Sequence, residues 1–252
     1  MPYIEISGER YFYLDSGPAG APRQVLFLHG SGGTAGHWSN QLALAGPGQR
    51  VLAVDLPGHG RSGGHPVDRI AGYREFVRLF AASLSLPSLY LGGHSMGGAV
   101  VLDYALNYPG ETAGLILIGT GARLRVAPAI LDAFGAGRTP AELVDLLYGP
   151  GTAPLLRDKA LREMETVDPR TWYVDFSACN AFDIMAELPR ITAGTLVLVG
   201  SEDRLTPPKY ARYLEEHMRR ATVVTVEGAG HMVMVEEPGA VNGALASFLA
   251  AD

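Results

Sequence analysis

The sequence predicts an α/β fold built on an open, mostly parallel sheet with helices on both faces. Short apolar runs recur along the chain, and none of them alternates cleanly between apolar and polar residues. Such runs are typical of strands that are covered on both sides. Helix-like segments separate the runs, and strand–helix alternation favours an open α/β sheet. The alternation is interrupted once, between about residues 121 and 190, which predicts an insertion between two strands.

The predicted elements follow one another in a simple order. The opening stretch YIEISGERYFYLDSG indicates a hairpin with Gly8 in its turn, which adds an antiparallel edge to the sheet. Parallel strands are predicted from the apolar runs at residues 25–30, 51–56, 89–93, 115–119, 195–200 and 222–228. Helices are predicted at residues 69–84, 98–108, 208–218 and 240–250.

The interruption at residues 121–190 contains several prolines, which separate short helical patterns such as AELVDLLY. No clear strand-like run occurs within it. We therefore predict a helical cap, residues 121–190, inserted in a core that residues 1–120 and 191–252 form together. An independent second domain is not expected, because no low-complexity linker sets the segment apart.

Composition excludes several classes of protein. The 252 residues carry a formal charge of −6, which gives no electrostatic reason to expect nucleic acid or an anionic membrane as a partner. Cys179 is the one cysteine, so neither an intrachain disulfide nor a thiolate metal cluster is expected, and a small buried side chain is favoured. A polar first segment and the lack of an apolar run of about 18 residues favour a cytoplasmic protein.

The stretch GGHSMGG, residues 92–98, places Ser95 where a predicted strand meets a predicted helix. A sharp strand-to-helix turn strains its central residue and exposes the side chain, so the residues two positions away must lack bulk. The pattern therefore predicts that Ser95 is a nucleophile. A phosphate-binding loop is rejected, because the stretch lacks the Lys-Ser/Thr ending of a Walker loop and the spacing of a dinucleotide site.

A serine hydroxyl needs a base that accepts its proton and an acid that orients the base. Among the seven histidines, His231 lies in a loop just beyond a predicted strand, where ligand sites gather in open α/β sheets. Asp203 lies just past the preceding strand, with Glu202 as its competitor for the same role. We predict a triad of Ser95, Asp203 and His231, in which Asp203 fixes the imidazole tautomer.

Acyl transfer also requires two N–H donors for the oxyanion of its tetrahedral intermediate. The backbone N–H of Met96, directly after Ser95, is one expected donor. The other is expected in the loop HGSGG, residues 29–33, where Ser31 is the candidate. The glycines of this loop let its backbone approach a substrate closely.

Five motifs, taken in order, resemble those of the α/β-hydrolase family: LFLHGSGG, VDLPGHGRS, GGHSMGG, VGSEDRLTP and GAGHMVMVEEP. The resemblance covers essentially the whole chain. It implies the α/β-hydrolase fold with an eight-stranded, mostly parallel sheet, a helical cap, a Ser–Asp–His triad and an oxyanion hole, with no cofactor and no metal. The HGSGG loop lacks the proline of the HGxGPG form common in carbon–carbon bond hydrolases, which weakens that assignment.

The substrate pocket is expected between the core and the cap. Gly30 and Met232 lie beside predicted site residues, and Trp172 and Phe176 belong to an apolar stripe of a predicted cap helix. Trp38 follows the HGSGG loop, residues 29–33, which we call the oxyanion loop, and it fits the pocket and the core equally well. All five are candidates for lining the pocket.

Arg123 and Arg125 follow a predicted strand, and a substrate carboxylate is one partner for them. A surface or cap-anchoring ion pair is favoured for both, so the predicted substrate is a small, neutral, apolar ester or lactone. The predicted function is that of a serine hydrolase acting on such small molecules. A carbon–carbon bond hydrolase or a cofactor-free perhydrolase or haloperoxidase on the same triad, and a low-turnover small-molecule receptor, are the alternatives. The sequence does not specify an oligomeric state.

Overall fold

The computed structural model describes residues 2–86 and 88–251, and these residues contain eight strands in one sheet. The strands are β1 (Tyr3–Ile6), β2 (Glu9–Ser16), β3 (Arg23–Leu28), β4 (Gln49–Val54), β5 (Leu89–His94), β6 (Thr112–Ile118), β7 (Gly194–Gly200) and β8 (Ala221–Val226). The helices are α1 (Ile70–Ser83), α2 (Met96–Asn107), α3 (Pro128–Gly135), α4 (Leu143–Leu147), α5 (Pro154–Thr166), α6 (Pro169–Ala181), α7 (Pro208–His217), α8 (Val233–Glu236) and α9 (Pro238–Ala250).

The strand order across the sheet is β1-β2-β4-β3-β5-β6-β7-β8. The β1–β2 and β2–β4 pairs are antiparallel, and all the other pairs are parallel. This arrangement confirms the predicted fold, a mostly parallel sheet with an antiparallel edge. Because the parallel strands run in one direction, the loops that follow β3, β5, β7 and β8 meet at a single edge of the sheet.

The first hairpin forms as the sequence predicts. Ser7 and Gly8 connect β1 to β2, and both have positive φ angles, 54° and 84°. A two-residue turn with two positive φ angles has the right twist for a hairpin, and glycine adopts it without steric cost. The turn therefore positions the antiparallel edge of the sheet.

The continuous apolar runs are explained by burial on both faces of the sheet. In β3, Leu26 and Leu28 belong to one hydrophobic cluster and Val25 and Phe27 to the other. All four side chains are fully buried. A strand that must fill two cores has no solvent-facing position for a polar residue, which is why no alternation is visible in the sequence.

Helices α3 to α6 lie between β6 and β7, in the stretch for which the sequence predicts a cap. Helix α6 turns Trp172, Asp175 and Cys179 inward, at spacings of three and four residues, so one face of it is buried. The division into a core and a cap unit stays a prediction. Within residues 2–86 and 88–251, no helix is both long and apolar enough to cross a bilayer.

Candidate active site

Ser95 occupies the turn between β5 and α2 in a strained backbone conformation. Its φ and ψ angles are 51° and −115°, which a residue with a Cβ atom adopts at a cost of about 1–3 kcal/mol. The surroundings hold it there: its N–H donates to the carbonyl of Ile118 at 2.9 Å, and its own carbonyl accepts from the hydroxyl of Thr120 at 2.8 Å. The turn thus has the geometry expected for an exposed nucleophile.

The glycines around Ser95 are required by close backbone packing. A Cβ atom on Gly93 would lie 2.2 Å from the carbonyl oxygen of Gly97, across the turn. On Gly97 it would lie 2.4 Å from the carbonyl oxygen of Leu28, at the end of β3. The first clash is the one predicted from the motif, whereas the second shows that Gly97 relieves crowding against the neighbouring strand.

His231 and Asp203 are brought together by the loops after β8 and β7. Nδ1 of His231 lies 2.8 Å from Oδ2 of Asp203, and both side chains are buried. The other oxygen of Asp203 accepts hydrogen bonds from the backbone N–H groups of Leu205 and Thr206, at 2.9 and 2.8 Å. Glu202, the competitor, is exposed. Asp203 is therefore the acid that contacts the imidazole.

The protonation of this pair follows from the environment of the carboxylate. Burial alone would raise the pKa of Asp203, but the charge of His231 and the hydrogen bonds from His231 and Thr206 outweigh it, and the pKa is lowered. An ionised carboxylate only accepts hydrogen bonds, so Nδ1 of His231 must carry the proton. Nε2 is then the basic nitrogen, which is the tautomer that a general base requires.

Two backbone N–H groups near Ser95 have no acceptor among the described residues: those of Ser31 and Met96. The neighbouring N–H groups of the oxyanion loop are occupied, since Gly32 donates to Asp175 and Gly33 donates to the carbonyl of Gly30. Gly30 approaches the nucleophile so closely that a Cβ on it would lie 3.1 Å from the Cβ of Ser95. Both predicted donors therefore lie free beside the turn.

Asp175, on the predicted cap helix α6, was not identified from the sequence. Its carboxylate accepts hydrogen bonds from Gly32 N–H at 2.8 Å, from His59 Nε2 at 2.8 Å and from the Tyr73 hydroxyl at 2.6 Å. Asp175 is fully buried. Burial alone would lower the pKa of His59, but the Asp175 carboxylate outweighs it and raises that pKa. The sequence feature that could have indicated this role is the position of Asp175, an ionisable residue within the apolar stripe of α6.

A cavity of about 250 Å³ contains Ser95 and His231 in its wall. We call it the apolar arm, because nine of the other residues in its wall are apolar: Leu147, Tyr148, Ala160, Met164, Val167, Trp172, Phe176, Leu205 and Met232. Gly30, Ser31 and His37 also line it. Four of the five pocket candidates, Gly30, Trp172, Phe176 and Met232, thus lie at this cavity.

Trp38, the fifth pocket candidate, lies in the core and not in the pocket wall. Its side chain is fully buried and stacks on Phe27 of β3, with ring centroids 4.4 Å apart. It is absent from the walls of the apolar arm. The Phe27 ring in turn packs over Gly92 of β5. A Cβ atom on Gly92 would lie 2.4 Å from a carbon of that ring. Trp38 therefore belongs to the core.

The two arginines after β6 have different surroundings. Arg123 forms the expected surface ion pair, with its Nε 3.6 Å from a carboxylate oxygen of Asp183. The ion pair expected for Arg125 is not found among the described residues: its guanidinium reaches only the backbone carbonyl of Asn180, at 3.4 Å. Cys179 is buried as expected, and burial raises the pKa of its thiol to about 12.

No cluster of three His, Cys, Asp or Glu side chains suited to a metal ion occurs in residues 2–86 and 88–251.

A sequence model described as "Alpha/beta hydrolase family" matches residues 25–244. The "Putative carbamate hydrolase RutD" of Variovorax paradoxus (strain S110) is 33% identical, over 94% of this chain and 95% of its own. The 2-hydroxy-6-oxo-6-phenylhexa-2,4-dienoate hydrolase of Burkholderia cepacia is 30% identical, over 98% and 94%. The solved structure of a thermophilic esterase is similar with a TM-score of 0.86 and 32% identity, over 99% and 97% of the two chains.

Proposed function

The chain belongs to the alpha/beta hydrolase family, and from this membership we propose that it is a serine hydrolase that cleaves carboxylic esters or lactones through an acyl-enzyme. The observation that carries the proposal is the buried 2.8 Å contact between Asp203 and His231, in the same cavity wall as Ser95 on its strained turn. A strained serine, a base in its basic tautomer and two free N–H donors are the groups that acyl transfer needs.

In the proposed mechanism, Nε2 of His231 accepts the proton of Ser95 Oγ as this oxygen attacks the carbonyl carbon of the ester. Asp203 stabilises the imidazolium that forms. The carbonyl oxygen becomes an oxyanion and accepts hydrogen bonds from the N–H groups of Ser31 and Met96. Collapse of the intermediate breaks the bond to the alcohol oxygen, which leaves with the proton from His231. Water, activated by His231, then hydrolyses the acyl-enzyme in the same way.

The apolar arm favours a small apolar acyl or alcohol group. Trp172 and Phe176, from the predicted cap helix, stack at a centroid distance of 5.6 Å and form one wall. Burial of apolar substrate surface against such a wall contributes about 25 cal/mol per Å². A cavity of about 250 Å³ is below the usual size of sites for drug-sized ligands, about 300–1,000 Å³, which supports a short chain.

Carbon–carbon bond hydrolysis is the second candidate. It is favoured by the 30% identity to a 2-hydroxy-6-oxo-6-phenylhexa-2,4-dienoate hydrolase over nearly the whole chain. That substrate, offered to the same preparation as the esters, separates the two activities. Faster turnover of the dienoate than of any ester would make the ester assignment wrong.

The direct test is turnover of 4-nitrophenyl esters of increasing acyl length by the wild type and by Ser95→Ala. We expect burst kinetics with short-chain esters, and a loss of about 10⁶-fold in kcat in the variant, as for removal of a triad serine. Ser83→Ala, an exposed serine on α1, is the matched control and should behave as the wild type. Turnover that persists in Ser95→Ala would refute the mechanism, and negligible turnover by the wild type would favour a receptor.

A further inference from the structure

A second cavity, also of about 250 Å³, contains Ser95 in its wall. We call it the basic arm. It shares Ser95, Phe176 and Leu205 with the apolar arm, so the two arms adjoin each other at the nucleophile. An ester bound at Ser95 has two substituents, one on each side of the scissile bond, and two arms accommodate them separately.

The charge of the second cavity differs from that of the first. Arg125 and Arg204 line the basic arm, and no Asp or Glu does. The apolar arm has no Arg or Lys in its wall and includes Glu163. Two positive charges with no counter-ion in the wall are unusual in a chain whose formal charge is −6.

Neither arginine of the basic arm has a carboxylate partner among the described residues. The guanidinium of Arg125 donates only to the carbonyl of Asn180, at 3.4 Å, and that of Arg204 donates to the backbone carbonyl of Asp145. Other arginines of the chain do have such partners, as Arg50 has in Asp15 and Arg157 in Asp145. Both guanidinium groups of the basic arm therefore retain donors for a ligand, since each has five.

The path from solvent to the basic arm is also positively charged. A surface groove of about 430 Å³ shares Arg125 and Tyr210 with the arm and adds Arg123 and Lys209 to its wall. Asp183 pairs with Arg123 but does not line the groove. A cleft lined by one sign of charge concentrates ligands of the opposite sign and raises their association rate.

We propose that the basic arm binds a carboxylate on the substrate, on the side of the scissile bond away from the group in the apolar arm. The proposal rests on the ester hydrolase function proposed above and names its substrate class: esters with one short apolar side and one side that ends in a carboxylate. Arginine suits this role because its planar guanidinium matches a carboxylate with two parallel hydrogen bonds. Phe176 and Leu205 line both arms, so they would contact both sides of such a substrate.

The test uses two matched pairs of esters, because either side of the scissile bond can carry the anion. In the first pair the carboxylate is on the acyl side: 4-nitrophenyl hydrogen glutarate against 4-nitrophenyl pentanoate. In the second it is on the alcohol side: 3-butanoyloxypropanoate against propyl butanoate, followed by pH-stat. The quantity measured is the ratio of kcat/KM for the anionic ester to that for its neutral partner.

We expect the wild type to prefer the anionic ester in one of the two pairs by about fivefold, the upper end of the effect of an exposed charged pair. This ratio should fall several-fold in Arg125→Gln and in Arg204→Gln. It should also fall as the salt concentration rises from 0.05 to 0.5 M. The Debye length shortens over this range from about 14 to about 4 Å, so ions screen exposed charges more strongly. Arg138→Gln, which removes an exposed charge outside both arms, controls for net charge and should keep the wild-type ratio.

The proposal is wrong if neutral esters are preferred in both pairs, or if the ratio is the same in Arg125→Gln and Arg204→Gln as in the wild type. An equal fall in Arg138→Gln would also overturn it, because the preference would then come from net charge. In each of these cases, turnover of the neutral esters would still support the serine hydrolase. Failure to hydrolyse any of the four esters would instead count against the ester hydrolase itself.

Discussion

The carboxylate of Asp175, on helix α6, accepts a hydrogen bond of 2.8 Å from the backbone N–H of Gly32. Gly32 follows Ser31, whose own N–H is the proposed oxyanion donor. The Gly32 N–H belongs to the peptide between Ser31 and Gly32, so this bond fixes the peptide next to the one that carries the Ser31 N–H. Asp175 also binds His59 and Tyr73, so this one side chain ties α6 to the oxyanion loop and to α1.

Asp175→Asn tests this coupling. In asparagine, an NH₂ group in place of Oδ2 would face the Gly32 N–H, and in place of Oδ1 it would remove the acceptor of the Tyr73 hydroxyl. In either case His59 loses its counter-ion. Breaking a buried ion pair costs about 3–5 kcal/mol, which corresponds to a Tm lower by roughly 10 °C. We expect kcat for a 4-nitrophenyl ester to fall about tenfold with little change in KM, less than the about 100-fold loss of an oxyanion donor outright.

Asp168→Asn is the matched control on the same helix. Asp168 caps the N-terminus of α6 by accepting from the N–H of Arg170 at 2.8 Å, and asparagine caps a helix equally well. Its Tm and kcat should equal those of the wild type. A lower Tm in Asp175→Asn with an unchanged kcat would mean that Asp175 anchors α6 without positioning the oxyanion loop.

Asp203→Asn tests which acid orients His231. The amide presents a donor or a neutral acceptor to Nδ1, so the tautomer with a basic Nε2 is no longer favoured. We expect kcat to fall by about 10⁴-fold with little change in KM, as in the Asp→Asn change of a serine protease triad. Glu202→Gln, at the exposed neighbouring position, should retain wild-type kcat; the reverse result would give the role to Glu202.

Much of this arrangement can be predicted from the sequence, because the motifs are local. The strands are buried on both faces and appear as continuous apolar runs, and Ser95, Asp203 and His231 each follow such a run directly. The environment of Asp175 is not local: its partners Gly32, His59 and Tyr73 are 143, 116 and 102 residues away. Trp38 could not be assigned either, since an aromatic residue after the oxyanion loop suits a pocket and a core alike.

Gly93→Ala tests the backbone packing of the nucleophile turn. The added Cβ would lie 2.2 Å from the carbonyl oxygen of Gly97, and neither group is the flexible end of a side chain. We expect a loss of at least about 3 kcal/mol in the free energy of unfolding in urea, at the upper end for a single substitution. Gly243→Ala, in α9, has no atom within 4 Å of the added Cβ and should stabilise the protein by about 0.5–1 kcal/mol. A Gly93→Ala protein as stable as the wild type would show that the turn can relax.

His29 should make the stability of the protein depend on pH. It is fully buried; its Nε2 accepts from the N–H of Leu56 at 3.0 Å, and its Nδ1 contacts the carbonyl of Gly30 at 2.8 Å. These contacts require the neutral ring with its proton on Nδ1. Burial, and next to it the charge of His59, lower the pKa of His29 well below its ordinary value. Below about pH 6.5 the unfolded chain therefore binds a proton that the folded protein does not.

The sign of the effect follows from this difference in proton binding. A group whose pKa is lowered by folding contributes stability that is present above the unfolded pKa and is lost as the pH falls below it, by about 1.4 kcal/mol per pH unit for one proton. The free energy of unfolding in urea is measured between pH 7.5 and 5 for the wild type and for His29→Gln. The difference between the two slopes is the contribution of the His29 proton. We expect the variant to lose stability less steeply as the pH falls, whatever its stability at pH 7.5. His217→Gln, at an exposed histidine, should keep the wild-type slope. Equal slopes in His29→Gln and the wild type would mean that His29 is protonated alike in the folded and unfolded chains.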